Sequence, residues 1–388
     1  MEKKKVLIVN NNMHIGGVQK ALIGFLNALK ETYDVTLLLF NAEGELMDEI
    51  PPQVHVIQTK SLYRYIGMSQ RECRNKKETL VRGFFALISR VLGAKYIFRM
   101  MSVFSQKDDL AFFDTAVSYL HCAQPKSFYG GTAQYVLDCT DARKKVCYIH
   151  CDYVDSGTVS PYSKAIYRRF DALIGVSESV ANRVKQVLPD MEKRILSQQN
   201  SLNISSILRY AQEEPFSFDH QYLNCLTVAR LSDEKGIDRF IRVMGRLQDS
   251  AVRYYVAGEG AYRRQIEKEI RDNGLENQVI LLGEQKNPYR LMNNADLLIV
   301  PSYHEAAPVV FQEAKVLNLP VLTTNTLSAE EMVPDAYGFV VDNNEDAIET
   351  QMRKILRNPE MLKHKREALN ACSYDNVKIL HDIEQVLG

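Results

Sequence analysis

The sequence has no long apolar run, no net charge and few cysteines, and each absence excludes a class of protein. No stretch approaches the roughly 18 apolar residues that a membrane-spanning helix needs. Lysine and arginine together number 48, as do aspartate and glutamate, so no overall field attracts nucleic acid. Seven cysteines in 388 residues leave at least one thiol unpaired and do not make a disulfide scaffold, which favours a reducing compartment.

The amino terminus also lacks the features of a signal peptide. The cluster Lys3-Lys4-Lys5 leads into a short apolar stretch that ends at Asn10, without a small-residue cleavage site. We therefore expect a cytoplasmic protein. The chain is long for one hydrophobic core, and 46% apolar with 25% charged residues is an ordinary globular composition.

Apolar strand patterns alternate with helical patterns in both halves of the chain, as is typical of parallel sheets covered by helices. The predicted strands are Val6–Val9, Val35–Phe40, Val54–Ile57, Thr115–Ser118, Lys145–His150, Ala172–Val176, Asn224–Ala229, Val252–Ala257, Val279–Leu282, Leu297–Val300 and Val321–Thr323. The polar segment Gln198–Ser217 is the predicted linker. We therefore place one domain at residues 1–205 and a second at 206–388, with a final helical stretch that could pack on either.

The first candidate binding motif is His14-Ile15-Gly16-Gly17, between a strand and a helix. Two glycines allow a ligand to approach the backbone, and the N–H groups at a helix start attract phosphate. The motif is neither a Walker loop nor a dinucleotide fingerprint. By itself, such a pair of glycines more often forms only a tight strand-to-helix connection.

The second motif, Arg230-Leu231-Ser232-Asp233-Glu234-Lys235-Gly236, also joins a strand to a helix. Arg230 and Lys235 together could hold a diphosphate, since both are cations at a strand end. The alternative is a solvated loop in which the basic and acidic side chains pair with one another.

The third motif places two carboxylates around a helix start. Glu305 follows the strand Leu297–Val300, and Glu313 lies one turn into the next helix. Pro308 suits the first helical position, after which Val309 and Val310 offer unbonded N–H groups. A carboxylate in an apolar segment is costly unless a partner uses it, and ribose hydroxyls would serve Glu313. Favourable interaction with the helix dipole explains Glu305 but not Glu313.

These motifs resemble those of family 4 of the retaining glycosyltransferases. The resemblance rests on Val228-Ala229-Arg230-Leu231 with Glu234-Lys235-Gly236, on Val256-Ala257-Gly258-Glu259-Gly260, on Leu282-Gly283, and on the pair Glu305 and Glu313. It extends weakly to Gly16-Gly17, His150-Cys151-Asp152 and Val176-Ser177-Glu178. The family has the GT-B fold, in which two Rossmann-like, doubly wound α/β domains face a central cleft.

The resemblance implies a role for each matching residue. The donor diphosphate would be held by Arg230, Lys235 and the backbone of Gly16, Gly17, Val309 and Val310. Glu313 would bind the ribose, and the loop after Gly283 would bind the base. Glu305 and His150 would contact the transferred sugar. The expected reaction moves a sugar, with UDP as the first donor nucleotide to consider, to a saccharide or lipid-linked acceptor with retention at the anomeric carbon.

No metal or other cofactor is expected, because the diphosphate would have two cationic side chains and the chain contains no Asp-x-Asp. Two features depart from the family pattern. Many relatives have glycine where Ala306 or Pro308 stands here. Cys147, His150 and Cys151 form a Cys-x2-His-Cys pattern that could indicate zinc, although strand alternation explains it more simply.

Residues 71–104 mix large apolar side chains with arginine and lysine. Such a segment could lie on an anionic membrane surface. It could equally form helices that cover the first sheet, with the cations reaching into solvent.

Two other functions remain open. A sugar-nucleotide epimerase of the same architecture would also bind a nucleotide diphosphate, but it would need acids and bases without a second sugar. A non-catalytic partner subunit would keep the fold without turnover. Glu305 with Glu313 argues against the first, and the retained Arg230 and Lys235 argue against the second.

Overall fold

A computed structural model describes residues 3–104, 108–214, 216–248, 251–372 and 376–387. They form two compact units. The first comprises the described residues within Met1–Leu202 and Asn376–Gly388, and the second those within Asn203–Asp375. The boundary between the two units therefore follows Leu202, three residues before the boundary predicted after residue 205.

The first unit is built on a parallel sheet in the order β3-β2-β1-β4-β5-β6-β7. Its strands are β1 (Lys5–Asn10), β2 (Asp34–Leu39), β3 (His55–Gln58), β4 (Phe113–Ser118), β5 (Ala142–Ile149), β6 (Ala172–Gly175) and β7 (Ile195–Ser197). Val6 to Val9 of β1 are fully buried, because this strand lies between β2 and β4 and helices cover both faces.

Helices connect these strands and shield them from water. They are α1 (Gly17–Leu29), α2 (Arg64–Gly67), α3 (Lys76–Leu92), α4 (Ala94–Phe104), α5 (Thr132–Cys139), α6 (Pro161–Tyr167) and α7 (Glu178–Val187). In α1, apolar residues at helical spacing form the buried face, among them Leu22, Phe25 and Leu29.

The second unit repeats this arrangement with the strand order β10-β9-β8-β11-β12-β13. Its strands are β8 (Leu223–Val228), β9 (Val252–Ala257), β10 (Val279–Gly283), β11 (Leu297–Val300), β12 (Val321–Thr324) and β13 (Gly338–Val341). Its helices are α8 (Ile204–Ala211), α9 (Ile237–Leu247), α10 (Arg263–Asp272), α11 (Tyr289–Met292), α12 (Val309–Val316), α13 (Ala329–Met332), α14 (Glu345–Arg357) and α15 (Glu360–Ala371). Phe240, Tyr254 and Leu297 belong to its buried core.

The predicted linker differs from the structure in one respect. Within Gln198–Ser217 the chain forms helix α8, which buries Ile207 and Ala211. Asn203 caps this helix, since its side chain accepts a hydrogen bond from the backbone N–H of Ser206. The polar composition of the segment concealed a short amphipathic helix that belongs to the second unit.

The last helix, α16 (Val377–Leu387), belongs to the first unit. Asn376 donates its side-chain N–H to the carbonyl of Leu202 at 2.8 Å, and the hydroxyl of Thr115 in β4 donates to the carbonyl of Leu387 at 3.3 Å. Ile383 and Val386 are buried. The chain therefore runs through the second unit and returns to complete the first.

Among the described residues, none of the helices combines the length and the apolar character needed to cross a membrane.

Candidate active site

In each unit the strand order reverses direction between two neighbouring strands, at β1/β4 in the first unit and at β8/β11 in the second. The loops that leave such a pair of strands diverge, and the crevice beyond their carboxyl ends is where doubly wound sheets bind ligands. The predicted motifs lie in these loops: Gly16-Gly17 after β1, Arg230 to Lys235 after β8, and Glu305 after β11.

In the second unit, a buried arginine fixes the two loops at the reversal. Arg239, 1% exposed, donates from Nε to the carbonyl of Pro301 at 2.6 Å and from Nη2 to that of Ser302 at 2.9 Å. Its guanidinium also lies 4.1 Å from the ring centre of Tyr303. Gly236 makes this close packing possible, because a Cβ at its left-handed backbone (φ +61°) would lie 2.1 Å from the oxygen of Pro301.

The loops bring a cation and a carboxylate together. Lys235 Nζ lies 2.6 Å from Glu305 Oε1, and the hydroxyl of Ser302 donates to the same oxygen at 2.8 Å. The two charged side chains are largely buried, so the pair is shielded from bulk solvent. The structure thus joins two of the predicted residues directly, in a pairing that the sequence alone did not indicate.

Arg230 lies at the same strand end but extends outward. Its side chain is 74% exposed, and its contact with Glu234 at 3.4 Å is a surface ion pair within one loop. Such a pair contributes little to stability, so the guanidinium can leave it for a ligand without cost to the fold.

Glu313 is buried in α12, and the hydroxyl of Tyr289 donates to its Oε1 at 2.8 Å. Tyr289 in turn stacks on Tyr210 of α8, with ring centres 6.4 Å apart. A buried carboxylate requires hydrogen bonds, and Tyr289 provides one of them.

Helix α12 begins at Val309, not at Pro308 as predicted. Pro308 is the N-cap, with φ −62° and ψ 122° in the extended region. The proline ring fixes φ alone, and the extended ψ keeps this residue outside the helix. Val309 and Val310 therefore occupy the first two helical positions, where backbone N–H groups have no partner within the helix.

Glycines bring the ends of β8, β9 and β10 into backbone contact. A Cβ at Gly258 would lie 1.8 Å from the carbonyl oxygen of Ala229, and one at Gly260 would lie 2.1 Å from that of Leu231. The N–H of Gly258 donates to the carbonyl of Gly283 at 2.7 Å. The motifs Gly258-Glu259-Gly260 and Leu282-Gly283 thus fix the loops beside Arg230.

In the first unit, Gly16 and Gly17 stand at the start of α1. Gly16 is the N-cap in extended conformation and lacks a side-chain cap. A Cβ at Gly17 would have no atom within 4 Å, so the structure itself does not require glycine there. The preceding His14 anchors this turn, with Nε2 2.7 Å from Glu72 and Nδ1 3.1 Å from Glu45. Burial opposes protonation of His14, but the bonds to Glu72 and Glu45 outweigh it and raise its pKa.

His150 follows β5 and lies beside a second histidine. The centre of the His150 ring lies 4.8 Å from the centre of the Tyr119 ring. Burial, reinforced by neighbouring His121, lowers the pKa of His150 to about 3, and burial lowers that of His121 to about 4. Both rings are therefore neutral at physiological pH. In the part of the chain that the structure describes, neither Nε2 of His150 nor Nδ1 of His121 has a hydrogen-bond partner, although both atoms are buried.

Only Cys147 of the Cys-x2-His-Cys pattern lies in a strand, because β5 ends at Ile149 and His150 and Cys151 follow it. Cys147 is buried in β5 and its thiol donates to the carbonyl of Leu120 at 3.7 Å. Among the described residues, no group of three or more His, Cys, Asp or Glu side chains is arranged to hold a metal ion.

Several residues at these strand ends were not singled out from the sequence: His121, Arg239, Tyr289 and Ser302. His121 had an available signal, because it follows the predicted strand Thr115–Ser118 at the same sheet edge as His150. Arg239 and Tyr289 act through side-chain contacts with residues distant in the sequence, which no local pattern encodes. Ser302 acts locally, since it bonds Glu305 three residues further along the chain.

Comparison with known proteins supports a glycosyltransferase. Residues 211–370 match the family model described as Glycosyl transferases group 1. This segment holds all the predicted residues of the second unit. It spans less than half of the chain, and the first unit lies outside it.

Two curated relatives extend the comparison. The chain is 23% identical over 381 residues to the N-acetylgalactosamine-N,N'-diacetylbacillosaminyl-diphospho-undecaprenol 4-alpha-N-acetylgalactosaminyltransferase of Campylobacter jejuni, covering 96% of each chain. It is 25% identical over 197 residues to the putative colanic acid biosynthesis glycosyltransferase WcaL of Escherichia coli, covering 48% of this chain and 47% of that one.

Among solved structures, Anabaena HepE in complex with UDP and glucose superposes with a TM-score of 0.70 at 17% identity, covering 99% of each chain. This likeness, together with the two parallel sheets, confirms the predicted GT-B class of fold.

Proposed function

We propose that this protein is a retaining glycosyltransferase of family 4 that transfers a sugar from a nucleotide diphosphate. The observation that carries the proposal is the contact between Lys235 and Glu305, which brings a cation and a carboxylate together beyond the carboxyl ends of β8 and β11. A leaving diphosphate needs the cation, and hydroxyls of the transferred sugar need the carboxylate.

Donor binding would use the remaining groups of the second unit. Arg230 turns from Glu234 to the diphosphate, and Lys235 exchanges Glu305 for a phosphate oxygen. The N–H groups of Val309 and Val310 bind the same anion at the start of α12. Glu313, held by Tyr289, accepts from ribose hydroxyls, and the loop beyond Gly283 contacts the base.

Gly16, Gly17 and His150 contribute from the first unit. The backbone at Gly16-Gly17 approaches the diphosphate, and His150 bonds a hydroxyl of the transferred sugar. The unpartnered Nε2 of His150 supports this assignment, because the nitrogen of a neutral imidazole can donate to or accept from a sugar hydroxyl, depending on the tautomer.

The proposed reaction is a front-face transfer. The acceptor hydroxyl oxygen bonds to the anomeric carbon on the side that the diphosphate leaves, and the bond from that carbon to the phosphate oxygen breaks. The hydroxyl proton passes to the departing phosphate. No protein nucleophile and no metal ion is required, since Arg230 and Lys235 supply positive charge where negative charge develops.

We further propose UDP as the donor nucleotide and a saccharide or lipid-linked saccharide as the acceptor, in surface polysaccharide or glycoconjugate synthesis in the cytoplasm. The name of the Campylobacter jejuni relative, which includes a diphospho-undecaprenol saccharide, supports this acceptor class, and the HepE complex with UDP and glucose supports this donor class.

The experiment is calorimetric titration of UDP into the protein in the presence of EDTA. Arg230→Ala with Lys235→Ala should abolish measurable UDP binding. The matched control is Lys268→Ala with Arg271→Ala, which removes two cations from helix α10 of the same unit and should leave UDP binding intact. Micromolar affinity in the first variant, or a strict need for a divalent metal, would overturn the proposal.

A further inference from the structure

Helix α3 presents its apolar stripe to solvent, contrary to the usual orientation of a surface helix. Leu80 is 74% exposed, Phe84 59%, Leu87 61% and Val91 65%. Their spacing places all four on one side of the helix. The opposite side of the helix is buried through Phe85 and Ser89. Helix α3 is therefore packed on the protein through one side and exposes its apolar stripe on the other.

The contacts of the inner side show how firmly α3 is held. Phe85 packs against Tyr65, with ring centres 5.9 Å apart, and the hydroxyl of Ser89 donates to the carbonyl of Ser127 at 3.2 Å. Arg82 donates from Nε to the carbonyl of Met68 at 2.7 Å. Rotating the stripe inward would break these contacts. The outward orientation of Leu80, Phe84, Leu87 and Val91 is therefore fixed by the fold.

Helix α4 follows α3 directly and also exposes apolar side chains. It buries Ile97, Phe98 and Met101, while Tyr96, Val103 and Phe104 are exposed. Exposed apolar area of this extent, concentrated on two consecutive helices, marks a binding surface.

Positive charge surrounds the stripe. From Cys73 to Phe104 the sequence holds seven lysines and arginines and one acid, Glu78, although the whole chain is neutral. Lys76, Lys77, Arg90, Lys95 and Arg99 are exposed. Glu78 is engaged by Arg64 at 2.8 Å, so it does not offset this charge.

This charge distinguishes between the possible occupants. A second copy of the chain bound through the same surface would bring like charges opposite one another, because a twofold interface pairs each patch with itself. An anionic bilayer instead offers negative headgroups to the cations and a hydrocarbon boundary to the apolar stripe.

We propose that the outward face of α3 and α4 is a docking surface for an anionic lipid bilayer, with Leu80, Phe84, Leu87 and Val91 inserted at the headgroup boundary and the surrounding cations paired with lipid phosphates. This surface is independent of sugar transfer, since it contains none of the residues assigned to donor binding.

The test is sedimentation of the full-length protein with phosphatidylcholine vesicles, with and without phosphatidylglycerol. The protein should bind the anionic vesicles at least about tenfold more tightly than the neutral ones, and high salt should weaken this binding. Replacing Leu80, Phe84 and Leu87 by serine should reduce the partition coefficient at least about tenfold. Replacing Lys76, Lys77 and Arg90 by glutamine should reduce it by roughly a hundredfold.

The matched control replaces Leu208 and Val377, which are exposed apolar residues elsewhere, by serine, and it should bind vesicles as the parent does. UDP affinity and melting temperature, measured on every variant, separate a failure of docking from a failure of folding or of the proposed function. Equal binding to neutral and anionic vesicles, or binding that survives both sets of changes, would overturn the proposal. So would a dimer in light scattering that the serine changes dissociate, because a second copy would then be the occupant.

Discussion

At the residue level, the two carboxylates of the third motif are held in different ways. Glu305 is paired with Lys235 and Ser302 in a loop, so its contacts can change when a ligand displaces the lysine. Glu313 lies on a helix and is bonded by Tyr289, which is itself stacked on Tyr210. The first carboxylate suits a reacting group, and the second suits a fixed contact to a remote part of the donor.

Glutamine variants should separate these roles. Glu305→Gln should lower kcat more than it raises the KM for the donor, because contacts to the transferred sugar strengthen as its bond loosens. Glu313→Gln should weaken UDP binding by roughly ten- to a hundredfold, the range for a hydrogen bond to a charged group. Steady-state kinetics and UDP titration measure both effects.

Tyr289→Phe serves as a control for positioning, and we expect it to weaken UDP binding less than Glu313→Gln does. UDP carries no sugar, so the Glu305 variant should bind it no less tightly than the parent. Normal UDP affinity in the Glu313 variant would exclude contact between this carboxylate and the ribose.

The two buried histidines make stability depend on pH. Folding lowers the pKa of His150 from 6.5 to about 3 and that of His121 from 6.5 to about 4. The unfolded chain therefore binds more protons between these values and 6.5. The stabilising effect of the neutral rings is complete above pH 6.5 and is lost as the pH falls through this window.

We predict that lowering the pH from about 7 to about 5 reduces the free energy of unfolding by on the order of 2 kcal/mol per histidine. His121→Asn with His150→Asn should flatten this dependence. Denaturant unfolding at several pH values measures it, and the slope against pH remains informative even if the variant is less stable overall. His364→Asn, at an exposed position, is the control. A slope unchanged in the double variant would show that these rings do not titrate as described.

At the level of elements, the first residue of α1 is Gly17, and the space that a side chain would occupy there is empty. Gly17→Ala should therefore not lower the free energy of unfolding, since alanine is the better helix former by up to about 1 kcal/mol. UDP affinity should nevertheless fall at least about tenfold if a phosphate approaches this backbone. Thermal melting and UDP titration give the two readings.

Gly83→Ala in α3 is the matched control, because a Cβ there also has no atom within 4 Å. It should leave UDP binding unchanged. If both alanine variants bind UDP like the parent, then the turn at Gly16-Gly17 is only a connection between β1 and α1.

Most elements could be predicted because their patterns are local. The apolar runs Val6–Val9 and Leu297–Val300 became β1 and β11, since a strand buried on both faces must be continuously apolar. Helix α8 was missed because Asn203 and the two serines that follow it resemble a loop. The orientation of α3 could not be predicted, because an amphipathic pattern does not state which face is covered.

In the candidate site, the loops could be predicted from the sequence, but the contacts between them could not. Strand ends and glycines identified the loops, whereas the contact of Lys235 with Glu305 depends on how β8 and β11 neighbour one another in the sheet. The clamp by Arg239 likewise depends on a bond between residues 62 positions apart.

At the level of the whole molecule, helix α16 links the carboxyl end of the chain to the first unit. Replacing Ile383 and Val386 together by alanine should destabilise that unit, because both side chains are buried. Replacement of a buried isoleucine by alanine alone lowers the free energy of unfolding by about 2–5 kcal/mol. Hydrogen exchange should increase in β4, whose Thr115 bonds α16, and remain unchanged in β8.

The exposed neighbour Leu380→Ala provides the control and should change exchange much less. Equal acceleration in β4 and β8 would show that the two units do not unfold separately.

The return of the chain to its first unit also constrains how the protein is made on the ribosome. The strands of the first unit are synthesised early, but α16 emerges only after the second unit. The second unit, whose described residues end at Cys372, is translated in full before the first can be completed. The nascent first unit therefore waits with the surface that α16 covers exposed, and a message truncated before α16 yields a complete second unit and an unfinished first one.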